Sequence, residues 1–183
     1  MLMSLGSVRP NPEVHCWFRL MGHFDLWTTR IGGVIRGIFN GMSFEQLPST
    51  WPDQPLTDPG LAANVVDLMV SFGDRARGTL TVLLCGSDDR FRSTVIVELP
   101  SPGPTPTELC ETALGPIIEA VRTAPGTALV LALGRSGSGS PTDADDQWAT
   151  AARGNCAAAG IRLLGFYIAT RDGIYQPPVP ALT

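Results

Sequence analysis

The sequence predicts an α/β domain with a mixed sheet, in the element order α-β-β-α-β-α-β-β, over residues 59–176. Three observations carry that prediction. Apolar residues recur at helical spacing in three segments, short runs of β-branched and apolar residues alternate with them, and glycine and proline punctuate the boundaries.

Asp58 followed by Pro59 reads as an N-cap with proline at the first helical position. Leu61, Val65, Leu68 and Phe72 then follow at helical spacing, which predicts one helix through Phe72. Thr79–Cys85 and residues 91–99 are rich in β-branched residues and flank the polar segment Gly86-Ser87-Asp88-Asp89-Arg90, the pattern of a hairpin. Residues 100–106 contain four prolines and read as a loop. Thr107 reads as the cap of a second helix with an apolar stripe at Leu109, Ala113, Leu114, Ile117, Ile118 and Val121. Pro116 is expected to kink or split it.

Pro125-Gly126 ends that helix, and the apolar run 127–133 reads as a buried strand. Residues 134–141, Gly-Arg-Ser-Gly-Ser-Gly-Ser-Pro, read as a flexible loop leading to Thr142. Thr142 caps a third helix, with Asp143, Asp145 and Asp146 in its first turn, where acids complement the helix dipole. Gly160 stops the helix, residues 161–170 form a strand, and Arg171-Asp172-Gly173 turns into a short strand at Ile174-Tyr175. Residues 177–183 are a tail, and no internal repeat is present.

Ahead of this domain, residues 1–41 mix Trp17, Phe18, Phe24, Trp27 and Phe39 with arginines and glycines in no sustained period. Met42 is the expected biological start, the residues before it being upstream sequence read as protein; the alternative is an ordered arm packing its aromatics on the domain. Residues 42–58 form a proline-punctuated lead-in.

Composition narrows the function classes. The 183 residues are 44% hydrophobic and 16% charged, the composition of a single globular domain. Net charge is −4, so no basic field draws in nucleic acid or an anionic membrane surface. No apolar run is long enough to span a bilayer, and a cytoplasmic location is the default expectation. All thirteen basic residues are arginine, which excludes a lysine-bearing phosphate loop, Schiff-base chemistry and a lysine base. Cys16, Cys85, Cys110 and Cys156 form no Cys-x-x-Cys pair and read as reduced, buried side chains. The two histidines, His15 and His23, precede the domain, so within it neither a Ser-His-Asp triad nor a three-histidine zinc site can form.

The most suggestive stretch is the strand, glycine-rich loop and helix from Leu129 to Trp148. As a phosphate cradle it has the right outline, but three acids occupy the helix's first turn. Arg135, Ser136, Ser138, Ser140 and Thr142 are the candidate ligand loop, and Arg135, Trp148 and Tyr175 can border a small site. Asp143, Asp145 and Asp146 are read first as a helix cap and, in the alternative, as oxygen ligands for a hard divalent cation. Trp148, with Ala152 and Cys156, reads as core.

The run Leu129-Val-Leu-Ala-Leu-Gly-Arg-Ser-Gly-Ser-Gly-Ser-Pro-Thr-Asp-Ala-Asp-Asp146, taken with the element order, resembles the JAB/MPN metalloprotease-like fold, especially its bacterial RadC-like branch. In that family a buried strand leads to His-x-His, a glycine- and proline-containing loop and Ser-x-x-Asp at a helix start. Val82 to Phe91 is similar to the family's first hairpin, and Ile161 to Tyr175 to its closing strands. Thr142 stands at the serine position and Asp145 at the aspartate ligand position, the one metal-ligand position retained. The histidine positions fall on Ala132 and Gly134, and the catalytic glutamate position falls near Thr79.

The resemblance therefore implies a cytidine-deaminase-like three-layer core without metal or cofactor. A non-catalytic interaction or ligand-binding role follows, with a homodimer or another protein as partner. The alternative is a Mg-dependent, carboxylate-based hydrolase using the acids at the start of the third helix.

Overall fold

The computed structural model describes residues 18–21, 47–101 and 103–178. His15, His23, Cys16 and the expected start at Met42 lie outside them. Strand β1 is Phe18–Met21, a regular element in a segment whose sequence shows no strand period. A 3-10 turn at Trp51–Asp53 precedes α1 (Pro59–Met69) and α2 (Phe72–Arg77). β2 (Thr79–Cys85) and β3 (Phe91–Glu98) form the expected hairpin. α3 (Pro106–Val121), β4 (Ala128–Gly134), α4 (Asp143–Ala158), β5 (Arg162–Thr170) and β6 (Gly173–Tyr175) complete the order.

The sheet runs β1-β3-β2-β4-β5-β6, five of its six strands belonging to the predicted domain. It is mixed: β4 and β5 are parallel, joined through α4, and the other pairs are antiparallel. α3 and α4 cover one face, closing a core of large side chains that includes Leu80, Leu114, Leu129, Leu131, Trp148 and Phe166. α1 packs on the other with Val65, Val66 and Val70 against Leu83, Val130 and Tyr167. Each such large apolar side chain, fully buried, contributes about 1.5–3 kcal/mol of transfer free energy. The lead-in joins this second core, since Leu56 and Trp51 are buried and the Trp51 ring lies 5.4 Å from that of Phe91. No helix among the described residues is long and apolar enough to cross a membrane.

Three local expectations are corrected. The first helix is two helices, because Val70 turns extended and Ser71 caps a new one, in a capping box closed by Asp74. Phe72 thereby leaves the apolar stripe of α1 and is 41% exposed, with the Arg75 guanidinium 5.2 Å from its ring centre. The cap of α3 is Thr105, not Thr107: Pro106 occupies the first helical position and Glu108 closes the box. Pro116 does not split α3, which is continuous across it. Pro116 and Thr112, the residue whose carbonyl loses its helical donor, are both exposed, so water can replace the missing bond.

Candidate functional site

The stretch singled out in the sequence folds around one guanidinium. β4 carries the chain through a fully buried run and ends at Gly134, so Arg135 emerges at the C-terminal end of the sheet. Its Nε and Nη2 donate to the two carboxylate oxygens of Asp145, at 2.8 and 2.9 Å. Its Nη1 donates to the carbonyls of Ser136 and Ser138, and its Nη2 also to the Ser140 carbonyl. The glycine-rich segment is therefore wrapped around Arg135 with its carbonyls turned inward, an ordered turn instead of the flexible loop expected from composition. Gly137, at φ +95°, makes one of the reversals that this wrapping needs. The far side is fastened by Asp172, whose Oδ2 accepts from the Gly139 amide at 2.8 Å.

Asp145 is 1% exposed. Besides Arg135, its Oδ2 accepts from the Tyr175 hydroxyl at 2.6 Å and from the Thr142 amide and hydroxyl at 2.8 Å each. Thr142 in turn accepts from the Asp145 amide, closing the capping box that starts α4. Burial on its own raises the Asp145 pKa, but the bonds from Arg135, Tyr175 and Thr142 outweigh it and hold the carboxyl below the usual range. The same contacts hold Arg135 more firmly protonated than usual, the Asp145 bond first. Burial, then the bond to Asp145, pushes the Tyr175 hydroxyl up. All the members of this network stay in their ordinary ionisation states near neutrality.

The candidate residues thus separate. Arg135, Thr142, Asp145 and Tyr175 meet; Ser136, Ser138 and Ser140 contribute carbonyls and leave their exposed side chains pointing away from the guanidinium's bonds. Asp143 and Asp146 are exposed while Asp145 is buried, so the three acids do not converge. Trp148 is buried in the core beneath α4. Among the described residues, no group of three His, Cys, Asp or Glu side chains is placed to hold a metal ion.

At the positions that the resemblance gives to histidines, the residues carry no ligating group. Ala132 and Gly134 pair with Thr81 and Thr79 across β2. A Cβ added at Gly134 lies 3.0 Å from the Thr79 hydroxyl and 3.3 Å from the Asp74 carbonyl and Val70 Cγ1. Val70 and Asp74, where α1 gives way to α2, therefore crowd a side chain at that position, and Ala132 and Gly134 offer a metal no donor.

Nucleophilic chemistry finds no better footing. Cys85, Cys110 and Cys156 are free and buried. Burial pushes the first two thiols up to about 12 and the third to about 11, far from the thiolate a nucleophile needs.

One ionic site escaped sequence reasoning. Arg75 is 3% exposed and donates through Nη2 to Asp67 at 2.7 Å, through Nη1 to the Thr170 carbonyl at 2.9 Å and through Nε to the Val70 carbonyl at 3.0 Å. Its one sequence signal is Asp67 itself, an acid beside Val65 and Val66.

Fold and site together define a three-layer, mixed α/β domain whose most conspicuous polar cluster is closed on itself. No protein-family model, curated protein or solved structure matches the chain.

Proposed function

We propose that this chain is a metal-free, non-catalytic interaction or ligand-binding domain built on a JAB/MPN-like core. The observation that carries the proposal is the engagement of Asp145: two bonds from Arg135, two from Thr142 and one from Tyr175 occupy a carboxylate that is 1% exposed. In this reading the Arg135 guanidinium supplies the positive charge that a metal supplies in catalytic relatives.

The JAB/MPN-like part of the proposal is supported by the three layers, the hairpin β2–β3 beside the central strand β4, and the β4, loop, capped α4 succession. Thr79 and Gly134 face each other in register, as positions for a glutamate and a histidine of one site must. What they hold here, a threonine and a glycine, has no ligating or acid–base capacity at neutral pH.

Calorimetric titration of the chain with Zn²⁺, Mg²⁺ and Mn²⁺, with its mass followed by light scattering, tests the proposal. No stoichiometric uptake is expected, and a dimeric mass identifies a second copy as partner. Stoichiometric uptake that is lost in Asp145→Asn would overturn it and revive the Mg-dependent hydrolase.

A further inference from the structure

A second place in the molecule leaves a polar group unanswered. β6 pairs with only the last three residues of β5, Ile168, Ala169 and Thr170. Along the earlier part of β5, against the second half of α4, lies a groove of about 300 Å³. Its walls are mainly apolar, with Ile161, Leu163, Leu164 and Phe166 among them, and Arg153 and Gln176 bring polar ends to it. The volume is at the lower end of small-molecule sites, which run from about 300 to 1,000 Å³.

The wall is shaped by an irregularity in the sheet. Leu129 pairs with Leu163 but Val130 with Gly165, so Leu164 is an extra residue in β5. Leu163 packs towards the core beneath α4 and Leu164 towards the core beneath α1, and the extra residue returns Phe166 to the face of Leu163. Arg153 is the other anomaly. Its Nη2 makes one long bond, 3.3 Å, to the Pro177 carbonyl, and its Nη1 is shielded from solvent without an acceptor among the described residues. A guanidinium N–H withheld from water and left unpaired is destabilising, and an anionic oxygen reached by a small pivot of the side chain removes that cost.

We infer that this groove binds a small organic carboxylate, with the carboxyl group on Arg153 and an aliphatic or aromatic body against Ile161 and Leu163, which lie on the same face of the sheet. The inference rests on the proposed binding role and names its ligand class. The positive charge selects the anion, and the apolar walls reject small hydrated anions such as phosphate in favour of one carrying an apolar body. Gln176, which also lines the groove, can donate a second hydrogen bond.

The test is a titration of the full chain with octanoate and with its neutral match, octanol, followed by amide and Arg Nε signals in ¹H–¹⁵N spectra. Saturable shifts are expected at Ile161, Leu163 and the Arg153 Nε, with octanoate bound about tenfold or more tighter than octanol. Arg153→Met should bring octanoate down to the affinity of octanol, and Arg153→Lys should restore part of the difference. No saturable shift, shifts confined to other surfaces, or equal binding of octanoate and octanol by the unaltered chain would overturn the inference. Absence of octanoate binding would leave the metal titration above untouched, and metal uptake there would overturn the proposed function without bearing on this groove.

Discussion

Two arginine–carboxylate pairs flank the C-terminal ends of β4 and β5 from opposite layers. Arg75 and Asp67 sit on the α1 side with side chains 3% and 5% exposed; Arg135 and Asp145 sit on the α4 side at 20% and 1%. Both arginines also hold backbone carbonyls, Thr170 in one case and the 136–140 turn in the other. The difference lies in what each pair organises. The sealed pair ties α1 and α2 to β5, whereas the half-open pair shapes a surface turn and caps a helix. Sequence chemistry alone marks the second as a candidate binding loop, and in the structure both arginines fasten backbone carbonyls.

Breaking the sealed pair should have the largest effect. Arg75→Met leaves Asp67 buried without its partner, and urea unfolding should show a loss of about 3–5 kcal/mol. A loss no greater than that of Asp145→Asn would mean that the two pairs are equivalent despite their difference in exposure.

Asp145→Asn should cost roughly 2–3 kcal/mol, more than a helix cap alone, because it weakens charge-assisted bonds to Arg135 as well as the box with Thr142. The same pair predicts a pH dependence. The folded carboxyl titrates below its ordinary value of 3.8, so its contribution is complete above that value and is lost as the pH falls through the lower folded one. Thermal unfolding should therefore show the native chain losing stability below about pH 4, with a shallower loss in Asp145→Asn. An identical slope in both would remove Asp145 as the cause.

Tyr175→Phe removes a single hydroxyl from the half-open pair and should cost about 1 kcal/mol in urea unfolding. Amide exchange of residues 136–140 should rise, since the turn is held through Arg135, and unchanged exchange there would separate Tyr175 from the turn. The smallest effect should be a gain. Thr81 is buried with an unpartnered hydroxyl in the layer that also holds the sealed pair, and Thr81→Val should stabilise by roughly 0.5–1 kcal/mol. A loss would show that the hydroxyl has a partner in solution.

The fold was legible where its determinants are local. The hairpin of β2 and β3, the cap at Thr142 and the stop at Gly160 each rest on a few neighbouring residues, and each appears where the sequence places it. The misread boundaries were contests between local signals. Ser71 with Asp74 restarts a helix that apolar spacing alone would have continued, and Pro106 opens a helix that a run of prolines assigned to a loop. The site was legible in part: Arg135 and Tyr175 were named as bordering one site and Asp145 stood out three residues after Thr142, but its bonds to Arg135 and Tyr175 were not legible, because they join residues 10 and 30 positions away.

By itself, then, the sequence determined the alternation of helices and strands, the absence of histidine and lysine chemistry from residues 59–176, and Cys85, Cys110 and Cys156 as buried side chains, since composition and short-range periodicity suffice for these. Only the tertiary structure decided that Asp145 turns inward to Arg135 and Tyr175, that Arg75 reaches Asp67 and Thr170, and that Arg153 is left with a donor unanswered among the described residues. A charged group's partner is chosen by the packing of segments tens of residues apart, and no pattern within one segment records that choice.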